Sequence, residues 1–190
     1  MTGLDPTDPL VLDARTLQRR PGSMQTVART VSAPAGLGVA MARVPEGSPI
    51  ELDLRLESVL EGILVSGTAE LEVAAECSRC LEPVQWHEEV DLSELFCYPP
   101  TDARGAIVEE PDESEDPLPV VQDDLIDLHP VLRDAVVIDL PLAPLCREDC
   151  PGLCPQCGYR MEDDPQHGHE ESDPRWAALA ALLDEDDTPA

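Results

Sequence analysis

Ile50-Glu51-Leu52-Asp53-Leu54-Arg55-Leu56-Glu57 alternates apolar and charged side chains with a period of two. That period sets one face of an extended strand on a core and the other in water. After Glu61-Gly62 the alternation resumes through Ile63, Val65, Ala69, Leu71, Val73 and Ala75, so the two runs predict a β-hairpin. A third strand is expected to follow, with Val84, Trp86, Val90 and Leu92 on one face and His87, Glu89 and Asp91 on the other. Together the three form an antiparallel meander.

Downstream, Pro130 suits the first position of a short helix running to Leu140, with Val131, Leu132, Ala135 and Val136 turned inward and Pro141 as the stop. Between the strands and this helix, residues 98–124 read as an acidic flexible loop: Pro99-Pro100 open it, and Glu109, Glu110, Asp112, Glu113, Glu115 and Asp116 fill its middle. Near the end, Asp173-Pro174 resembles a helix start, and Trp176, Leu179, Ala180 and Leu183 recur at helical spacing. The expectation is an α+β protein, an antiparallel β-meander with a short helix and a cysteine-rich, zinc-binding C-terminal module. Its segments are an N-terminal stretch (1–28), the β region (29–97), the acidic loop (98–124), helix plus metal module (125–171), and a C-terminal amphipathic helix with acidic tail (172–190).

The 190 residues suffice for one domain of ordinary size with tails. With 42% apolar residues and only 3% aromatic, the core must be aliphatic. A formal net charge of −28 opposes binding to phosphate backbones and favours a basic protein as partner. Within Met1–Arg43, however, five arginines (Arg15, Arg19, Arg20, Arg29 and Arg43) outnumber three acids; any direct RNA contact would fall there, although an ordinary surface with edge strands explains the same residues. All twelve basic residues are arginine, a compositional bias that discriminates no function. The first residues show no secretory signal and no stretch approaches the ~20 apolar residues that cross a bilayer, so the expected location is the cytoplasm.

In a reducing compartment, closely spaced cysteines point to metal or redox chemistry before disulfides. Cys77-Ser78-Arg79-Cys80 falls in the turn between the second and third strands. Cys146, Cys150, Cys154 and Cys157 follow within twelve residues, with Gly158 directly after, and His167 and His169 lie just beyond. Zinc takes four thiolate or imidazole donors, and a Cys-x-x-Cys-Gly turn lets backbone amides approach the sulfurs. Three ligand sets fit: the four clustered cysteines; Cys77 and Cys80 with Cys154 and Cys157; or Cys154 and Cys157 with His167 and His169. Six cysteines and two histidines would also fill two sites. Cys97 stands apart and reads as a small buried apolar residue. Thiol–disulfide exchange at Cys154-Pro155-Gln156-Cys157 lacks the βαβ setting it requires, and a zinc deaminase would need its histidine before the cysteine pair. The chain is therefore expected to bind and not to catalyse.

Cys77-Ser-Arg-Cys80-Leu-Glu-Pro83, Asp127-Leu through Asp139-Leu-Pro-Leu142, and Cys146 to Gly158, in that order, resemble the YceD family, the large ribosomal RNA subunit accumulation proteins, in its longer cysteine-rich form. Many relatives carry Cys-x-Cys where this chain has His167-Gly168-His169, a swap that keeps metal-ligand character. The resemblance implies a role in ribosomal RNA processing or accumulation, without a known catalytic activity, in a family often encoded beside ribosomal protein L32. Together with the charge, the expectation is a ribosome-biogenesis factor whose acidic surface engages a basic ribosomal or RNA-processing protein; a direct RNA-binding module using the N-terminal arginines is the alternative.

Overall fold

The computed structural model describes residues 3–17, 19–99 and 118–169. The acidic run Glu109–Asp116 and the expected C-terminal helix lie outside them. The chain divides into two compact units, Met1–Cys146 and Arg147–Ala190.

The first unit carries all the named strands and the helix. Strand β1 (Val11–Asp13) is followed by a short 3-10 turn at Arg15–Leu17, then β2 (Met24–Ser32), β3 (Ala42–Arg43), β4 (Pro49–Ser58), β5 (Gly62–Glu76), β6 (Pro83–Cys97), β7 (Leu125–Asp127) and helix α1 (His129–Asp139). The expected hairpin is β4–β5: its ladder runs from Ile50↔Leu71 to Ser58↔Ile63 and closes where the Val59 amide donates to the Gly62 carbonyl (2.9 Å). β5 then pairs along its whole length with β6, from Gly62↔Cys97 to Glu76↔Pro83. β2 adds to the free side of β4, and β3 meets the far end of β5. The meander is thus wider than its sequence pattern implies. β2 is missed because Met24-Gln25-Thr26-Val27-Ala28-Arg29 lacks a clean alternation, and it is an edge strand with only Val31 fully buried.

Period two does what it should. Ile50, Leu52, Leu54 and Leu56 of β4, Ala69, Leu71 and Val73 of β5, and Val90, Leu92 and Phe96 of β6 are buried in one cluster with Leu132 and Val136 of α1. Val131 and Ala135, expected inward, are only partly buried at the margin of that core. Leu10, Leu12, Ile126 and Leu128, in and beside the small antiparallel β1–β7 sheet, close the same core. Asp8 ties this corner to the helix: one carboxylate oxygen accepts the Leu10 amide (2.8 Å) and the other meets His129 Nε2 (3.1 Å). The amide bond foremost, then the histidine, hold the Asp8 carboxyl below its ordinary pKa against the opposing effect of desolvation.

Cys97 is half-buried and not fully buried as expected. It ends β6, and its backbone continues the sheet edge by a parallel bridge to Val120, so part of the expected loop 98–124 is bound to the sheet.

The opposite face of the sheet is exposed and acidic. Glu51 lies across from Glu70, and Glu70 across from Glu89; one row along, Asp53, Thr68 and Asp91 are cross-strand neighbours. Like charges directly opposite one another destabilise a sheet, so this row is not explained by folding.

Candidate metal centres

Cys77 and Cys80 sit on the tip connecting β5 to β6. The Cys77 amide donates to the Glu82 carbonyl and the Leu81 amide to the Cys77 carbonyl (both 2.8 Å), which wraps the backbone around the two sulfurs. The turn closes only because Leu81 adopts a left-handed conformation, φ 62°, a region that costs a branched side chain roughly 1–2 kcal/mol. No signal in the sequence marks this, since leucine is not a residue expected there.

Cys154 and Cys157 repeat the arrangement bond for bond in the second unit. The Cys154 amide donates to the Tyr159 carbonyl and the Gly158 amide to the Cys154 carbonyl (both 2.8 Å), with Gly158 at φ 71°. Here the left-handed position is filled by glycine, the residue that adopts it without strain. A short antiparallel bridge, Leu153 to Arg160, follows the turn.

Each turn gains further donors from a second segment. In the first unit the Ser78 amide donates to the Pro144 carbonyl (2.8 Å), bringing Cys146 to the first turn; Cys80 Sγ and Cys146 Sγ are 3.7 Å apart, and the three sulfurs of Cys77, Cys80 and Cys146 lie within 4.8 Å of one another. In the second unit His167 stacks on Tyr159 (4.6 Å between centroids). From there its Nε2 reaches Cys157 Sγ at 3.3 Å, and His169 Nε2 reaches the same sulfur at 3.2 Å. The two imidazole nitrogens are 3.1 Å apart. Cys150, early in the second unit, is buried, and its amide donates to the Arg147 carbonyl (3.2 Å). Cys77, Cys80 and Cys146 therefore gather at the first turn, and Cys154 and Cys157 find their partners in the two histidines.

The electrostatics favour ionised sulfur in both. Burial raises the Cys77 pKa, but the amides of Cys80, Cys146 and Arg79 aimed at its sulfur outweigh burial and bring it down to about 6. At Cys154 the amides of Cys157 and Gln156 act first, against burial, and His167 and Cys157 add to them; the result is again about 6. The thiolate is the form that ligates a metal. All seven cysteines are thiols, and both clusters could hold a metal ion.

Residues 65–183 match the family described as large ribosomal RNA subunit accumulation protein YceD. The chain belongs to this family. It is 45% identical over 175 residues to an uncharacterized protein of Mycobacterium tuberculosis (strain H37Rv), covering 92% of this chain and 82% of that one. A Mycobacterium leprae protein, also titled uncharacterized, is 43% identical over the same length, covering 78% of its own chain. The uncharacterized protein YlbN of Bacillus subtilis is 30% identical over 145 residues, 74% of this YceD chain and 77% of its own. No solved structure matches. Among the described residues, no helix is long and apolar enough to cross a membrane.

Proposed function

We propose that this YceD protein is a non-catalytic factor in large-subunit ribosomal RNA accumulation, held in shape by zinc and acting through a basic protein partner. The family description supports the process. The observation that carries the mode of action is the exposed row Glu51–Glu70–Glu89 on the open sheet face. A row that costs folding stability is accounted for when a cationic surface neutralises it, and the overall charge of −28 steers such a partner inward.

Zinc fits the donors. A tetrahedral ion with Zn–S bonds of about 2.3 Å separates its sulfurs by roughly 3.8 Å, against 3.7 Å between Cys80 and Cys146. Cys77, Cys80 and Cys146 would supply the donors of one site. Cys154, Cys157, His167 and His169 would form the other. In each, the ion would cross-link a hairpin turn to a segment with little regular structure, a structural role.

The direct RNA-binding alternative would use arginines of which two already carry exposed ion pairs, each worth little. Arg15 is held by Asp13 (2.6 Å), and Arg19 pairs with Asp124 (3.3 Å) and lies over the Tyr98 ring. Affinity capture of the zinc-loaded full chain at low salt, with and without nuclease, separates the readings. Basic ribosome-assembly proteins should remain bound after nuclease and be lost when Glu51, Glu70 and Glu89 are all replaced by Gln. Loss of every partner on nuclease treatment would instead place RNA at the interface.

A further inference from the structure

We propose that the groove between the open edge of β6 and helix α1 receives an extended basic segment of the partner protein as an added strand. The inference rests on the reading that the protein acts by binding another protein, and names where and how.

The edge faces outward by the sheet's own geometry. Cys97 gives its amide to the Pro119 carbonyl (2.8 Å) and accepts the Val121 amide (2.9 Å), so its backbone polar groups point away from β5. The β5–β6 register is unbroken from Gly62↔Cys97 to Glu76↔Pro83, and in an antiparallel ladder the direction alternates residue by residue. Leu95, Ser93, Asp91, Glu89 and His87 therefore also turn their amides and carbonyls outward. Among the described residues, the pairing on this edge is the Cys97–Val120 bridge. A strand edge of this length, unpaired among the described residues short of Cys97, is a template for strand addition.

Beside it runs a groove of about 930 Å³. Its wall is a second apolar stripe on α1, Val131, Ala135 and Ile138, next to the buried pair Leu132 and Val136, and Leu118 also lines it. Ile138 is 84% and Leu118 57% exposed, so these side chains contribute little to the fold. Glu89, Asp91, Glu94, Asp134 and Asp139 also line the groove, with no basic residue among its described walls.

A strand laid on this edge would send alternate side chains to opposite faces. One set would extend the face that carries Glu89 and Asp91, and suits Lys or Arg; the other would pass over the α1 stripe, and suits Val, Ile or Leu. The occupant is thus a segment alternating basic and apolar residues. The chain's own run from Glu109 to Asp116 has the wrong sign. A second copy, with its net charge of −28, is disfavoured likewise.

The test uses the full zinc-loaded chain and a fluorescein-labelled ten-residue peptide of alternating Lys and Val, with an alternating Glu and Val peptide as control. The Lys peptide should bind, and raising salt should weaken it. Its binding should fall about tenfold or more in Ile138→Ser and in Ser93→Pro, which removes an outward amide the sheet does not use. Amide exchange at Asp91 and Ser93 should be fast in the free chain and slow with peptide. Should Ser93→Pro fail to fold, Ile138→Ser and the exchange measurement decide. Slow exchange in the free chain, equal binding of the Glu peptide, or indifference to Ile138→Ser would overturn the inference. If Ile138→Ser loses the peptide yet cells carrying it accumulate large-subunit RNA normally, the groove stands and the functional reading falls. If no peptide binds while RNA accumulation still requires the protein, the groove falls alone.

Discussion

Replacing Cys157 by Ser should halve the zinc content of the protein and leave the first cluster loaded. Cys157 is the hub of its cluster, its sulfur 3.3 Å from His167 Nε2 and 3.2 Å from His169 Nε2. A tetrahedral zinc with bonds of about 2.3 Å to sulfur and 2.05 Å to nitrogen sets S–N edges near ~3.6 Å and N–N edges near ~3.3 Å. The observed edges, including 3.1 Å between the imidazoles, are a few tenths of an ångström short, so an ion enters by spreading the donors slightly, without rebuilding the turn. The intact chain should carry about two zinc ions, and X-ray absorption should report a mixed shell with more sulfur than nitrogen donors. In Cys157→Ser about one ion should remain with an all-sulfur shell; in Cys80→Ser the remaining ion should show a mixed shell. Metal analysis after purification under reducing conditions, followed by absorption spectroscopy, reads both quantities. A mixed shell persisting at full occupancy in Cys157→Ser would refute the assignment, as would one ion in the unaltered protein.

Leu81→Gly should stabilise the first turn by about 1 kcal/mol, read as a shifted denaturant midpoint at constant zinc load, because it removes left-handed strain at φ 62°. Gly67→Ala should cost several times that: an added Cβ would lie 2.1 Å from the Asp53 carbonyl oxygen in the middle of β5, and such a clash ranks among the large destabilisations. Glu70→Gln, at the centre of Glu51–Glu70–Glu89, should raise stability by a few tenths of a kcal/mol while weakening partner capture; a fall in stability would mean the row is structural. Asp8, with its carboxyl pKa depressed, contributes stability that is present above the unfolded value near 3.8 and is lost as pH falls through the lower folded value. Acid unfolding of Asp8→Asn should accordingly lack part of the loss seen below pH ~4, and an unchanged acid limb would remove Asp8 from the account.

Strands β4, β5 and β6 were legible because each has a wet face and a dry face, so burial wrote a period of two into the residues. Helix α1 was legible at both ends from Pro130 and Pro141. β1 and β7, three residues each, are too short for any period to register, and they exist because Leu12 and Ile126 need cover at the core margin. At the clusters, the sequence identified the donor residues but left their grouping open, since spacing along the chain does not fix which turns meet. The partner of Cys77 and Cys80 is Cys146, sixty-six residues on from Cys80, brought there by the path of β6, β7 and α1. The left-handed leucine was illegible for a different reason. The fold imposes that conformation against the residue's preference, whereas at Gly158 preference and fold agree.

The charge of the molecule is the least local of its properties and the one that links these observations. An acidic excess that served only solubility would be spread so that like charges avoid one another, because that gives the same net charge at lower cost. Here glutamates face each other across three strands, and more acids gather beside an apolar stripe and the outward edge of β6. The two arrangements share Glu89 and Asp91, which belong both to the sheet face and to the groove. A basic strand seated on β6 would place its cations beside these two residues and extend the acidic row with opposite charge. The same row that weakens the isolated sheet would then hold its partner, through an attraction that salt within a Debye length of ~8–10 Å screens.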